Sequence, residues 1–82
     1  MQDISIKIDR AVNCSYIRLT NNRTEFTRVL DGGINLDIDS NGAIVGIEQL
    51  HLDDEIPFEY LKDEFQMSDG DIAKVKKLLR SA

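Results

Sequence analysis

INLDIDSNGAIVGIEQL, residues 34–50, admits two readings, and the choice between them decides the fold. Its inner part, Asp37 to Glu48, satisfies the calcium-loop pattern D-x-[DN]-x-[DN]-G-x5-E at every specified position. The same stretch carries Asn41-Gly42 between two alternating apolar runs. That is the strongest short-range signal for a β-hairpin, because a type I′ turn needs positive φ at both central residues. With those two residues as the loop, Ile38 faces Val45, Leu36 faces Ile47 and Ile34 faces Gln49. Asp39, Asp37 and Asn35 then share the opposite, outward face with Ile44, Gly46 and Glu48. A three-residue loop sets Leu36 against Gly46 and Ile34 against Glu48. A slip of one residue inverts a strand's faces, so the apolar pattern selects the two-residue loop.

That register argues against calcium. Asp39 lies opposite Ile44, and Glu48 is four residues further on, about 14 Å away at ~3.4 Å per residue. An EF-hand instead wraps its loop so that positions 1, 3, 5, 7 and 12 all reach one ion at about 2.3–2.6 Å. The flanks also read as strands where helices belong, and Val45 stands where an oxygen ligand or a water is usual. The hairpin reading is taken, with no metal-ligating residues assigned.

Working outward, the first fifty residues read as strands. Ile4, Ile6 and Ile8 alternate with polar residues; CSYIRL (14–19), EFTRVL (25–30), INLDID (34–39) and AIVGIEQL (43–50) follow, separated by turn-rich TNNRT and DGG. This predicts an antiparallel meander of four or five strands over residues 1–52. The period changes at Pro57, which suits a first helical position, and Phe58, Leu61 and Phe65 recur at helical spacing. Ser68 is placed as the N-cap of a second helix striped by Ile72, Val75, Leu78 and Leu79. Residues 53–82 are therefore a helical hairpin that covers one face of the sheet, and the 82 residues form one α+β domain. The expected core is Ile4, Ile6, Ile8, Ile17, Leu19, Val29, Ile34, Leu36, Ile38, Val45, Ile47, Phe58, Leu61, Phe65, Ile72, Val75 and Leu79. Phe26, Val29 and Leu30 cannot all face inward without a bulge, which makes the third strand's facing ambiguous.

Composition narrows the function classes. Hydrophobic residues make up 41% of the chain, enough with this patterning to fold. There is no apolar run of spanning length and no charged-then-apolar leader, so neither a membrane span nor a signal peptide is expected. A single Cys14 excludes an internal disulfide and fits a reducing cytoplasm. One cysteine and one histidine, His51, are too few for a zinc site. In a meander they also lie too far apart for a nucleophile–base pair. No catalytic, cofactor-binding or metal residues are assigned, and the chain is read as no enzyme.

Charge is uneven within the net −5. Residues 53–72 hold eight carboxylates against Lys62 alone, while Lys74, Lys76, Lys77 and Arg80 close the chain. An acidic stretch speeds encounter with cations and repels nucleic acid. Asp53, Asp54, Glu55, Glu59, Asp63 and Glu64 are the candidate surface for a basic protein partner. Tyr16, Ile44 and Leu50 fall on the outward side, more apolar surface than a lone sheet should expose. They are the candidate surface for helix cover or self-association as a homodimer. The alternative is a nucleic-acid-binding regulator. YLKDEFQMSDGDIAKVKKLLR (60–80) has a helix-turn-helix cadence, with Lys74, Lys76, Lys77 and Arg80 as phosphate contacts. Against it, Asp69 and Asp71 stand where that motif approaches phosphates.

The run from Ile8 to Leu19 with Tyr16-Ile17-x-Leu19, the segment Val29 to Asn35, and Asp37-x-Asp39-x-x-Gly42 leading to Val45-Gly46-Ile47-Glu48 resemble the small bacterial family named domain of unknown function 2283. The resemblance covers roughly residues 6–50. Ile8 stands where its members commonly have an aromatic residue, and Asn13 where Asp is common. It implies the sheet and no established activity. Such families are similar in size and organisation to components of toxin–antitoxin cassettes, so the resemblance adds antitoxin-like neutralisation as one form of the protein-binding reading.

Overall fold

The computed structural model describes residues 4–81; Met1–Asp3 and Ala82 lie outside the described residues. Five strands, β1 (Ser5–Asp9), β2 (Cys14–Arg18), β3 (Phe26–Leu30), β4 (Ile34–Ile38) and β5 (Ile44–Gln49), are followed by helices α1 (Phe58–Phe65) and α2 (Asp69–Ser81). The sheet is antiparallel throughout, with the order β1-β2-β5-β4-β3. The expected meander is thus corrected. After the β1–β2 hairpin, residues 19–25 carry the chain past two strand positions to the far edge. The β3-β4-β5 hairpins then return, and β5 closes the sheet beside β2 in a Greek-key-like connection. Burial explains why β5 takes the middle. Five of its six residues are buried, whereas four of the five in β3 are exposed.

The decisive hairpin keeps most of its expected register: Ile34 pairs with Gln49 and Leu36 with Ile47. Its tip differs. Asp39 N donates to Ala43 O at 3.0 Å and Gly42 N to Asp39 O at 3.1 Å, so the loop is Ser40-Asn41-Gly42. Positive φ falls on Gly42 (+84°) and not on Asn41, the geometry of a three-residue loop ending in a left-handed residue. A bulge offsets the extra loop residue. Asp37 pairs with Gly46 but Ile38 pairs with Ile44, leaving Val45 as the inserted residue. Val45 is fully buried, and its carbonyl accepts from Leu19 N (2.8 Å) and Thr20 N (3.3 Å). The bulge corrects Ile44, expected outward, which is buried in the core cluster.

The helices cover one face. Ile17, Leu19, Ile34, Leu36, Ile38, Ile44 and Ile47 share a buried cluster with Ile56, Leu61, Met67, Ile72 and Val75. Ile4, Ile6, Phe58, Phe65 and Leu79 pack on it half-buried. Pro57 sits one residue before the first turn of α1, and Gln66 ends that helix in the left-handed conformation. Ser68 Oγ accepts from Asp71 N at 3.1 Å, the expected cap of α2. Lys62 bridges to Asp69 at 2.9 Å and links the two helices. Val29, placed in the core by its apolarity, is 75% exposed, because it lies on the uncovered face of an edge strand. No helix among the described residues is long and apolar enough to cross a membrane.

Candidate functional site

The uncovered face of the sheet carries two polar rows. Across the strands run Lys7, Tyr16, Glu48, Asn35 and Val29, and beside them Ser5, Arg18, Gly46, Asp37 and Thr27. Tyr16 reaches diagonally across β5. A Cβ at Gly46 would collide with the Tyr16 phenol, so the glycine is the gap through which the ring passes. Beyond it, Tyr16 Oη donates to Asp37 Oδ2 at 2.7 Å, and Thr27 Oγ1 donates to Asp37 Oδ1 at 2.8 Å. The Arg18 guanidinium stands 5.5 Å from the Tyr16 ring centroid. Three strands, β2, β4 and β3, are joined through one carboxylate.

Burial, then the hydrogen bond to Asp37 and its charge, push the Tyr16 phenol up to about 12. Tyr16 is therefore a fixed proton donor at neutral pH rather than a base. Asn35 Nδ2 donates to Glu48 Oε1 at 2.9 Å, and Asn35 Oδ1 is buried without a partner among the described residues. An open depression of about 660 Å³ lies at the β1–β2 end, beside Lys7, Asp9, Arg10, Cys14, Tyr16 and Glu48.

Asp37 and Glu48 lie on this face as expected; Asp39 does not. It is only 5% exposed and is turned into its own loop. Its Oδ1 accepts from Asn41 N (2.9 Å) and Ala43 N (3.0 Å), and its Oδ2 from Asn22 Nδ2 (3.1 Å). These bonds hold its carboxyl below the usual carboxylate range. Among the described residues no group of three or more His, Cys, Asp or Glu is gathered to hold a metal ion.

The acidic segment is anchored at one end. Gln49, buried, accepts from Ser15 Oγ at 2.9 Å and donates to the carbonyls of Asp54 (2.6 Å) and Leu52 (3.3 Å). Asp54 accepts from His51 N and contacts His51 Nδ1, both at 3.2 Å, and packs on Gly33, where a side chain would strike it. Asp54 is thus drawn into the fold, whereas Asp53, Glu55, Glu59, Asp63 and Glu64 are exposed. Gln49 carried no sequence-based role; the readable signal was an amide at an inward position of an otherwise apolar alternation.

Strand order brings Cys14 and His51 nearer than a meander allows, since β2 and β5 are neighbours and Leu52 N donates to Asn13 O at 2.9 Å. Among the described residues Cys14 makes no hydrogen bond to His51, whose ring faces Asp54. Tyr16 lies half-buried in its bond to Asp37, and Leu50 is 41% exposed. Lys74, Lys76, Lys77 and Arg80 are exposed on α2, with Lys76 Nζ 5.3 Å from the Phe58 ring centroid.

The family model described as "Protein of unknown function (DUF2283)" matches residues 5–52. The match runs from the first residue of β1 to just past β5, taking in the Tyr16–Gly46–Asp37 arrangement and Gln49 and leaving both helices outside. No curated protein and no solved structure matches the chain.

Proposed function

The chain belongs to the DUF2283 family of proteins of unknown function, and from that premise we propose that it is a non-enzymatic cytoplasmic module that binds a basic protein through residues 53–64. The observation that carries this reading is the contrast between the two ends of the acidic segment. Asp54 is spent on His51, and Gln49 ties the segment's backbone to the sheet. Asp53, Glu55, Glu59, Asp63 and Glu64 remain exposed and outside any ion pair among the described residues. A negative surface on an ordered backbone loses little freedom on association and accelerates encounter with a cationic partner. Neutralising such a partner, as an antitoxin does, is one concrete form.

Two features support the non-enzymatic part. The Tyr16 phenol donates to Asp37 and is held protonated, which suits a latch better than a general base. Among the described residues Cys14 has no hydrogen bond to His51, whose ring faces Asp54 and so is not placed as its base.

A second reading, nucleic-acid binding through α2, is favoured by the exposure of Lys74, Lys76, Lys77 and Arg80. Asp69 and Asp71 in the first turn of that helix oppose it, since they would meet phosphate. The test is a nuclease-treated pull-down from host lysate at low salt with two charge-reversed variants. Replacing Glu55, Glu59 and Asp63 with lysine should abolish a stoichiometric protein band, and replacing Lys74, Lys76, Lys77 and Arg80 with glutamate should leave it. A protein band that survives the first replacement overturns the first reading. Nucleic acid recovered without nuclease, lost with salt and lost on the second replacement, supports the second reading instead.

A further inference from the structure

The two edges of the sheet are unlike. At β1 the residues Ile6 and Ile8 are half-buried, and α2 packs alongside. At β3, Phe26, Thr27, Arg28 and Val29 are all exposed, with Phe26 at 54% and Val29 at 75%. This edge has no proline, and Arg28 is its one charge. Natural proteins usually protect such an edge.

Its free hydrogen-bonding groups can be assigned. Leu50 N donates to Gly33 O, so in the β4–β5 ladder the bonded pairs fall on odd-numbered β4 residues. Ile34, Leu36 and Ile38 then bond toward β3, to Leu30, Arg28 and Phe26. The backbone groups of Thr27 and Val29 are left pointing away from the sheet. Glu25 N is already given to Ile38 O at 2.7 Å.

We propose that β3 is a homodimer edge, pairing antiparallel with β3 of a second copy about a two-fold axis through Thr27, so that the two sheets continue as one. Such an axis, perpendicular to the sheet, keeps both helical layers on one side and pairs residues whose numbers sum to an even value. Charge selects among the axes that use Thr27 and Val29. An axis at Arg28 sets Arg28 beside its own copy, a like-charge contact at the centre of the seam. An axis at Val29 sets Phe26 against Gly32, beyond the end of the strand. The axis at Thr27 sets Phe26 beside Arg28 of the second copy, a cation next to an aromatic edge residue on the helical side of the sheet, where Arg28 already lies 5.8 Å from the Phe65 ring centroid of its own chain. The two-fold axis makes this contact twice. Thr27 meets Thr27 as a hydrogen-bonded pair, its Cα atoms about 5.5 Å apart, within the range a disulfide spans.

The experiment is directed cross-linking with a mass measurement. Thr27→Cys in a Cys14→Ser background should convert to a disulfide-linked dimer on mild oxidation. Arg28→Cys and Val29→Cys in the same background should not. The unmodified chain should show twice its single-chain mass by light scattering at high concentration. Phe26→Ala should raise the dimer dissociation constant about three- to tenfold through loss of the two contacts with Arg28. A chain that stays monomeric and uncross-linked overturns the proposal, including the case in which the edge serves a strand from a different protein. A dimer that cross-links through Arg28→Cys or Val29→Cys instead of Thr27→Cys overturns it as well. An unchanged circular dichroism spectrum checks that each variant is folded.

Discussion

Tyr16 and Asp37 sit on strands that are not neighbours, β2 and β4, yet the Tyr16 hydroxyl donates to the Asp37 carboxylate at 2.7 Å over the bare backbone of Gly46. The bond is charge-assisted and partly shielded, so Tyr16→Phe should cost about 1.5 kcal/mol in urea unfolding. A cost under a few tenths of a kcal/mol would mean that solvent replaces the phenol.

The same bond sets an alkaline limit. The phenol's pKa is raised from 10.0 to about 12 in the folded chain, so its neutral form is favoured by folding. The stability it contributes is fully present below pH 10 and is lost as pH rises from 10 toward 12. An absorbance titration should show one tyrosine ionising near pH 12, and Tyr16→Phe should remove that step. A late step that survives the substitution assigns it elsewhere.

Gly46 is needed for space rather than for backbone freedom, since its φ is not positive. Gly46→Ala should displace the phenol and cost about 2 kcal/mol, in the range of overpacking. Removing the ring should relieve the clash, so the glycine substitution should be far milder in a Tyr16→Ala background. A double-mutant cycle should give a coupling of at least about 1 kcal/mol, and additive costs would remove the steric explanation.

How far these relationships could be read from the residues differs by kind. Asn41-Gly42 marked the hairpin and the pairing of Leu36 with Ile47 correctly. Ile44 and Val45 in sequence, however, read equally well as one residue in and one out or as a bulge, and only packing against both faces decides. Strand order left no local trace. Nothing in residues 19–25 says that the chain passes the positions of β5 and β4, because that outcome depends on β5 being apolar enough to be central. The ambiguous facing of Phe26, Val29 and Leu30 was the sign of an edge strand. Tyr16, Gly46 and Asp37 all stood in the runs that carried the family resemblance, but their meeting requires β5 to lie between β2 and β4, which a meander forbids.

Gln49 joins β2 to the start of the acidic segment through Ser15, Leu52 and Asp54. Gln49→Leu keeps the apolar volume but strands a buried hydroxyl and two carbonyls. A loss of about 2–4 kcal/mol is expected, since each unsatisfied buried group costs about 1–3 kcal/mol before any relaxation. Hydrogen exchange should show the amides of residues 50–55 losing protection before those of β4. Uniform loss across the sheet would mean that Gln49 supports the core and not the segment.

Asp39 closes the decisive hairpin with its charge. Its folded pKa lies below the ordinary 3.8, chiefly through the Ala43 amide and the Asn22 side chain, so folding favours the carboxylate. A depressed carboxylate contributes stability that is present above the unfolded value and lost as pH falls through the folded one. Asp39→Asn keeps an acceptor for the Asn41 and Ala43 amides but removes the titration. Wild type should therefore exceed Asp39→Asn in stability near neutral pH, and the gap should close as pH drops below 3.8. Parallel urea unfolding at several pH values measures this directly. A gap constant across the acid range would mean that shape and hydrogen-bond count hold the loop, with the charge contributing nothing.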